Sequence, residues 1–348
     1  VRQGLADAAA ARAWPGAVLA AGTVGGTVFV ESAGRHTYAA GARPTRPRDV
    51  FDLASLTKVV CTTCVCMRLW DRGRLPLDTP LDLLLPGAAC GEQGVTVRHL
   101  LTHTAGFPPY LPFYELADTA VARRALVLQT RSVSPPGEAC AYSDIGFMLL
   151  GLLVERVTGM RLDSAFQEFV AAPLGLKSTR FRPPQAWRSR VPPTELRPGR
   201  EHPVRGTVHD ENAAGLDGVS GHAGLFSTAA DLARLARVLL DRGQTEGGRL
   251  FSEACVELFT RPAGLVAGSH RCLGWCLSRE MNEGECFSGC AYGHTGFTGT
   301  SLWIDPGPGV FLVLLSNAVH PRRECKAPAY FTWRRRVEQG LYTALFGA

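Results

Sequence analysis

The sequence predicts an α/β chain of the α+β type: an antiparallel sheet flanked by the terminal helices, with a mostly helical lobe inserted between early and late strands. Three observations predict it. Strand-like β-branched runs lie near both ends of the chain, helical apolar patterns fill the stretch between them, and 46% of the 348 residues are hydrophobic against 20% charged. Strands at both ends imply one sheet assembled from distant parts of the chain, and the composition supports a large core and excludes a disordered chain. Length alone suggests about two domains. The element order instead fits a single unit over 1–348, with a sheet subdomain from about 1–75 and 260–348 and a helical lobe over about 76–259.

Residues 1–13 are alanine-rich with two arginines and read as a surface helix, not a signal peptide. The runs Ala17–Ala21 and Thr27–Glu31, separated by Gly25 and Gly26, form a hairpin signal. A proline-rich turn over Pro44–Pro47 precedes Phe51–Ala54, which leads into Ser55. From Ser55 to about Asp71 the chain is apolar almost all round, without Gly or Pro, as in a buried helix; Gly73 and Pro76 close it. Helical patterns follow at Val97–Leu101, Thr119–Leu128, Ile145–Thr158 and Ala229–Asp241. Strand-like runs return at Leu273–Ser278, Thr300–Ile304 and Gly309–Ser316, before a last helix from about Thr332 to Leu345. There are no internal repeats.

Net charge is +6, but Lys and Arg are spread along the chain, and no nucleic-acid partner is expected. The densest basic stretch runs from Arg180 to Arg205, interleaved with prolines, and reads as a solvated loop; its sharper reading is an electrostatic funnel for an anionic substrate. No segment has the apolar length to span a bilayer. Of 11 cysteines, Cys61, Cys64 and Cys66 read as small core residues. Cys272, Cys276, Cys286 and Cys290 repeat a C-x3-C spacing, yet no C-x2-C pair or matching His pattern accompanies it, and no metal is expected. So many unpaired thiols fit a reducing, cytoplasmic compartment.

Ser55-Leu56-Thr57-Lys58 opens the buried helix. A serine in the first turn lies near unsatisfied backbone N–H groups, and a lysine three residues on shares its face. Burial would lower the lysine's pKa and let it accept the serine proton. The bland alternative is a helix cap followed by a solvent-facing lysine. Tyr142-Ser143-Asp144 precedes the apolar helix from Ile145, and His294-Thr295-Gly296 lies just before the strand Thr300–Ile304.

In that order and at those separations, the three elements resemble the motifs of the serine β-lactamase and penicillin-binding-protein superfamily, above all its class C-like and D,D-peptidase-like members. Phe51–Ser55, Val97–Phe107 and Leu149–Gly151 extend the resemblance over roughly residues 15–345, and Val208–Ala213 with Gly221–Ser227 resembles a D-alanyl-D-alanine carboxypeptidase-like subgroup. The resemblance implies a β-lactamase/transpeptidase-like catalytic domain. It makes Ser55 the acylated nucleophile, with Lys58 and Tyr142 handling protons and the choice of base open. It makes the backbone N–H groups of Ser55 and Phe297 an oxyanion hole, and has the strand after His294-Thr295-Gly296 bind the substrate backbone edge-on. Its members can be periplasmic or secreted.

Two departures stand out. The third motif commonly begins with Lys; His294 titrates near neutrality, so its attraction for a substrate carboxylate should be weaker and pH-dependent. The second motif often ends in Asn; Asp144, when ionised, only accepts, and would hold Lys58 charged, shifting the base towards Tyr142. His99 and His103 lack the Glu of a zinc-protease helix and read as structural. His209, Asp210, Glu211 and His222 could be imagined as a metal cluster; the resemblance makes them a loop bordering the site, with His222 a substrate contact. The α/β-hydrolase elbow G-x-S-x-G and the phosphate-binding loop are absent, as is an E-x-x-L-N of class A type.

The expected reaction is acyl transfer to water through an acyl-serine, without metal or organic cofactor. Expected substrates are small molecules or peptides: D-alanyl peptides, β-lactams or related amides. Small esters are the alternative within the enzyme class, and a penicillin-binding sensor with little turnover is the alternative outside it.

Overall fold

The computed structural model describes residues 1–281, 287–326 and 328–347. The chain enters through α1 (Arg2–Ala10) and the hairpin of β1 (Gly16–Thr23) and β2 (Gly26–Gly34). Short strands β3 (Phe51–Asp52), β4 (Arg180–Phe181) and β5 (Leu225–Ser227) pair as a separate three-stranded sheet in the order β3-β5-β4. Strands β6 (Cys276–Leu277), β7 (Tyr292–Gly296), β8 (Thr300–Asp305) and β9 (Val310–Ser316) then return to the N-terminal hairpin. The resulting six-stranded sheet has the order β2-β1-β9-β8-β7-β6, with every neighbouring pair antiparallel.

The central strands are buried on both faces, which is why their sequences are continuously apolar instead of alternating. Along β1, Ala17, Leu19 and Ala21 join Leu312 and Leu314 of β9 in one cluster with Leu5 and Trp14. Val18 and Ala20, pointing the other way, pack with Val313 and Leu315 into the larger core of the helical lobe. The register Val18↔Leu315 and Leu19↔Leu314 keeps the two sets apart.

A helix runs from a π-helical stretch over Lys58–Thr63 into α2 (Cys64–Asp71). Every side chain from Leu56 to Met67 is buried, as its apolar sequence predicts. It contacts α3 (Asp144–Thr158), whose N-cap Ser143 accepts from the Ile145 N–H. Next comes α4 (Ala229–Leu240), packed across β1, β8 and β9, and the chain closes with α5 (Ala329–Phe346), which contacts α1 and β9. No helix among the described residues is long and apolar enough to cross a membrane.

One strand expectation is corrected. Only Cys276–Leu277 of the run 273–278 pairs as a strand, because Gly274 turns the chain at φ 86° and donates its N–H to Leu101. The third motif lies just before β8, as expected, and is itself the end of a strand, β7. Two glycines in Tyr292–Gly296 hide the strand pattern, since glycine weakens strand propensity.

Candidate active site

The segment entering Ser55 is tied down from several sides. Asp52 is buried; its Oδ1 accepts from Ala54 N–H at 2.9 Å and its Oδ2 from His209 N–H at 2.6 Å. Burial pushes the Asp52 carboxyl up to about 6, against the pull of those two N–H groups. Ala54, next to the serine, has φ 46°, a left-handed conformation that costs roughly 1–3 kcal/mol in a residue with a Cβ. Thr298 Oγ1 donates to the Asp52 carbonyl at 2.7 Å, and Thr300 Oγ1 to the Leu53 carbonyl at 3.0 Å. These bonds fasten the Phe297 turn to the two residues that lead to Ala54 and Ser55. Gly296 is required there, since a Cβ on it would lie 2.4 Å from the Leu53 carbonyl oxygen.

Lys58 is fully buried, so it is not a solvent-facing residue after a cap. Its Nζ donates to Ser55 Oγ at 3.0 Å, to Asp144 Oδ1 at 2.7 Å and to the His222 carbonyl at 3.4 Å. Burial alone pulls the lysine pKa down, as the sequence suggested. The Asp144 carboxylate and Tyr142 outweigh burial, and the pKa sits above its ordinary value. The neutral lysine expected from burial is therefore corrected to a charged one. Tyr142 has its ring 4.9 Å from Lys58 Nζ, and Lys58 and Ser55 are near enough to its hydroxyl to pull the phenol pKa down. Burial raises its pKa more than the lysine charge lowers it, so the phenol keeps its proton.

His294 departs from expectation. Its ring is buried, Nδ1 donates to the Thr295 carbonyl at 2.7 Å, and Nε2 has no hydrogen-bond partner among the described residues. Burial, reinforced by the charges of Lys58 and Arg271, drives its pKa down to about 3. It is neutral throughout the physiological range and does not supply a pH-dependent charge for a carboxylate. The edge-on strand is also corrected. β8 lies inside the sheet between β7 and β9, whereas β7 is paired by β6 only at Tyr292 and Gly293. Among the described residues, no strand covers the outer edge at His294, Thr295 and Gly296. The Phe297 ring is 46% exposed and stacks on His209 at 5.6 Å, while its carbonyl accepts from Lys326 Nζ at 2.7 Å.

His222, expected to touch substrate, is 1% exposed with both ring nitrogens engaged: Nδ1 with Ser220 Oγ and Nε2 with Asp210 Oδ1, each at 2.8 Å. Its ring is therefore corrected to a support that holds its own carbonyl against Lys58. Asp144, Asp210 and His222 offer ligand atoms within 4.8 Å of one another among the described residues, and the Lys58 ammonium already places a cation against this group. His99 pairs with Thr96 in a capping box. His103, buried, accepts the Ser143 N–H on Nδ1 at 3.1 Å and packs its ring 4.5 Å from that of Tyr142, so it fixes the second motif. Cys272 and Cys276 are buried and Cys290 exposed; Cys286 lies outside the described residues.

Within the basic stretch, Arg190 and Arg205 bond backbone carbonyls and Arg197 braces the His209 carbonyl, while Arg180, Arg182, Arg188 and Arg200 face solvent. Asp52 and Arg271 were not singled out as site residues by sequence, and Asp210 was read only as part of a loop bordering the site. Asp52 and Asp210 do stand inside two of the segments that carry the family resemblance, Phe51–Ser55 and Val208–Ala213. Arg271 has no sequence signal beyond its place ahead of the third motif.

A sheet capped by terminal helices, a helical lobe, and Ser-x-x-Lys facing Tyr-x-Asp define the architecture shared by serine β-lactamases and penicillin-binding proteins. The sequence profile of the family described as Beta-lactamase matches residues 1–331, and the chain belongs to that serine hydrolase family. It is 35% identical over 307 residues to an N-acetylmuramyl-L-alanine amidase of Bacillus subtilis, covering 79% of this chain and 69% of the relative. It is 34% identical over 307 residues to an Escherichia coli protein provisionally named D-alanyl-D-alanine carboxypeptidase, covering 78% and 69%. Among solved structures, EstCE1, a hydrolase with promiscuous acyltransferase activity, superposes with TM-score 0.77 at 23% identity over 97% of both chains. A penicillin-binding-protein homologue from Caulobacter crescentus gives 0.71 at 24% identity, over 94% of this chain and 97% of the other. At those identities the two structures speak for the fold alone.

Proposed function

We propose that this chain is an acyl-serine hydrolase with Ser55 as nucleophile, acting on D-alanyl peptides, β-lactams or related amides. The observation that carries the reading is the buried Lys58 ammonium, held by Asp144 and directed at Ser55 Oγ from 3.0 Å. A charged lysine cannot take the serine proton, but it lowers the cost of negative charge on the serine oxygen. Tyr142 then serves as the relay. Its oxygen accepts the Ser55 proton while its own proton passes to the leaving nitrogen, so the C–N bond breaks and the acyl-serine forms without a free phenolate. Water reverses the path, giving a proton to Tyr142 as Tyr142 returns one to Ser55. The Ser55 and Phe297 N–H groups are the proposed donors to the developing oxyanion.

The relatives' names, an amidase and a carboxypeptidase, support amides of cell-wall type. A neutral His294 favours small esters as the second reading, since it offers no charge to a carboxylate. Intact-mass spectrometry after mixing with a penicillin, beside a Ser55→Ala control, tests the nucleophile: a single adduct on the parent alone is expected. An adduct that persists in the Ser55→Ala protein would overturn the assignment. Release of D-alanine beyond one equivalent per chain separates a hydrolase from a sensor, and a nitrophenyl ester assayed beside it ranks the two substrate classes.

A further inference from the structure

We propose that Lys326 is a positioning residue for acylation: its ammonium holds the apex of the Phe297 turn, and with it the backbone N–H proposed as a donor to the oxyanion, so that loss of the lysine proton slows the reaction; this rests on the acyl-serine reading above. Phe297 and Thr298 are the central residues of a turn closed by the Gly299 N–H on the Gly296 carbonyl at 3.1 Å. Its upstream end is strand β7, and its downstream end is tied to Asp52 and Leu53 through Thr298 and Thr300. With both ends fixed, the freedom left at the apex is a concerted tilt of the two peptides that meet at Phe297. One of them carries the N–H and the other the carbonyl. That carbonyl is held by Lys326 Nζ at 2.7 Å, a charge-assisted bond of the stronger kind.

The lysine is itself delivered on a fixed segment. It ends a turn of 3-10 helix over Arg323–Lys326, in which Arg323 grips Glu195 with Nε at 2.9 Å and Nη2 at 2.7 Å. Its ammonium lies 5.0, 4.8 and 5.5 Å from the ring centres of Phe297, Tyr330 and Phe331, a cage that orients a cation. The charged groups packed around it are cations: Arg334 and Arg335 of α5, which line the same small cavity, and Arg323, already bound to Glu195 and Glu211. Arg322, Glu324 and Cys325, beside it in the chain, are exposed, and among the described residues no carboxylate pairs with Lys326. Burial, with the Arg334 charge adding to it, brings the ammonium down to about 8. The bond to Phe297 is therefore made at neutral pH and lost in mildly alkaline solution, before Lys58 or Tyr142, both raised above their ordinary values, give up their protons.

The test follows the maximal rate of Ser55 acylation by saturating penicillin, by time-resolved intact mass, from mildly acidic to alkaline pH. The parent should slow roughly tenfold, the cost of misaiming one oxyanion donor, through a midpoint near 8. Lys326→Met should be slow from the start and flat, so that its gap from the parent closes as pH rises. Lys326→Arg, which keeps a charged donor, should stay fast across the range. The turn itself is read on the Ser55→Ala protein labelled with nitrogen-15 phenylalanine, its Phe297 amide signal assigned by loss in Phe297→Leu. That signal should move through the same midpoint, and this readout needs no change at 326 should either variant fail to fold. A gap equal at every pH, an alkaline fall that survives in Lys326→Arg, or a Phe297 amide that ignores the titration overturns the proposal. A Phe297 amide that follows Lys326 in a chain whose Ser55 forms no adduct upholds the hold on the turn and rejects the acyl-serine reading.

Discussion

Lys58 and Tyr142 both hold their protons at rest, which gives Tyr142 the larger share of the proposed chemistry. Removing only its oxygen, in Tyr142→Phe, should slow acylation by roughly 10²–10⁴-fold, the usual weight of a positioned acid–base group. The ring would keep its contacts with His103 and His294. Time-resolved adduct formation measures this, and acylation at the parent rate would return the base to Lys58. Ser55 and Lys58 were legible as a pair because helix periodicity puts a serine and a lysine three apart on one face, whereas their roles and that of Tyr142 came from the resemblance of the three motifs to the family. The charge state of Lys58 was legible only in part: Asp144 was seen as its stabiliser, but the contest between burial and that carboxylate needs the 2.7 Å contact. Arg271 and Asp52 were not legible as site residues, since their importance comes from through-space neighbours such as Tyr142 and His209.

The elements meet at the site through close backbone approaches. Gly221 lies against α3 so tightly that a Cβ would fall 2.0 Å from the Phe147 carbonyl oxygen, and its own carbonyl accepts from Thr62 Oγ1 at 2.7 Å. Gly221→Ala should therefore push the 221–222 segment off α3, at a cost of about 1–3 kcal/mol or more. It should also displace the His222 carbonyl from Lys58. A fall in both the unfolding midpoint and the acylation rate is expected; an alanine variant as stable and active as the parent would refute this packing. The long elements were legible from period and punctuation: the first hairpin, the buried helix after Ser55, and the helices at 97, 120, 145 and 229. The two-residue strands β3 and β4 were not, because so short a segment carries no periodicity, and β6 was legible only as part of a longer run over 273–278. β7 was hidden by its glycines, of which Gly296 is kept for contact with Leu53.

At the scale of the whole molecule, the fold buries histidines in their neutral form. His103, His209 and His294 are all shifted down, chiefly by burial. Their unfolded counterparts take up protons near the ordinary value of 6.5, so the unfolded chain binds more protons as pH falls and stability declines below that point. For His294, with a folded value of about 3, the loss by pH 5 is on the order of 2 kcal/mol. His294→Gln should flatten the fall in unfolding free energy between pH 7 and pH 5, as measured by denaturant melts at each pH; a slope equal to the parent's would show that His294 is not the group responsible. The sheet's overall plan was legible because strand-like runs sit at both termini, and its inner strands read as continuous apolar runs because helices cover both faces. The uncovered length of β7 has one more consequence. Three residues span about 10 Å of extended chain, too little ladder for a second copy to zip onto, and the molecule thereby keeps a sticky backbone available without offering that edge as a seed for aggregation.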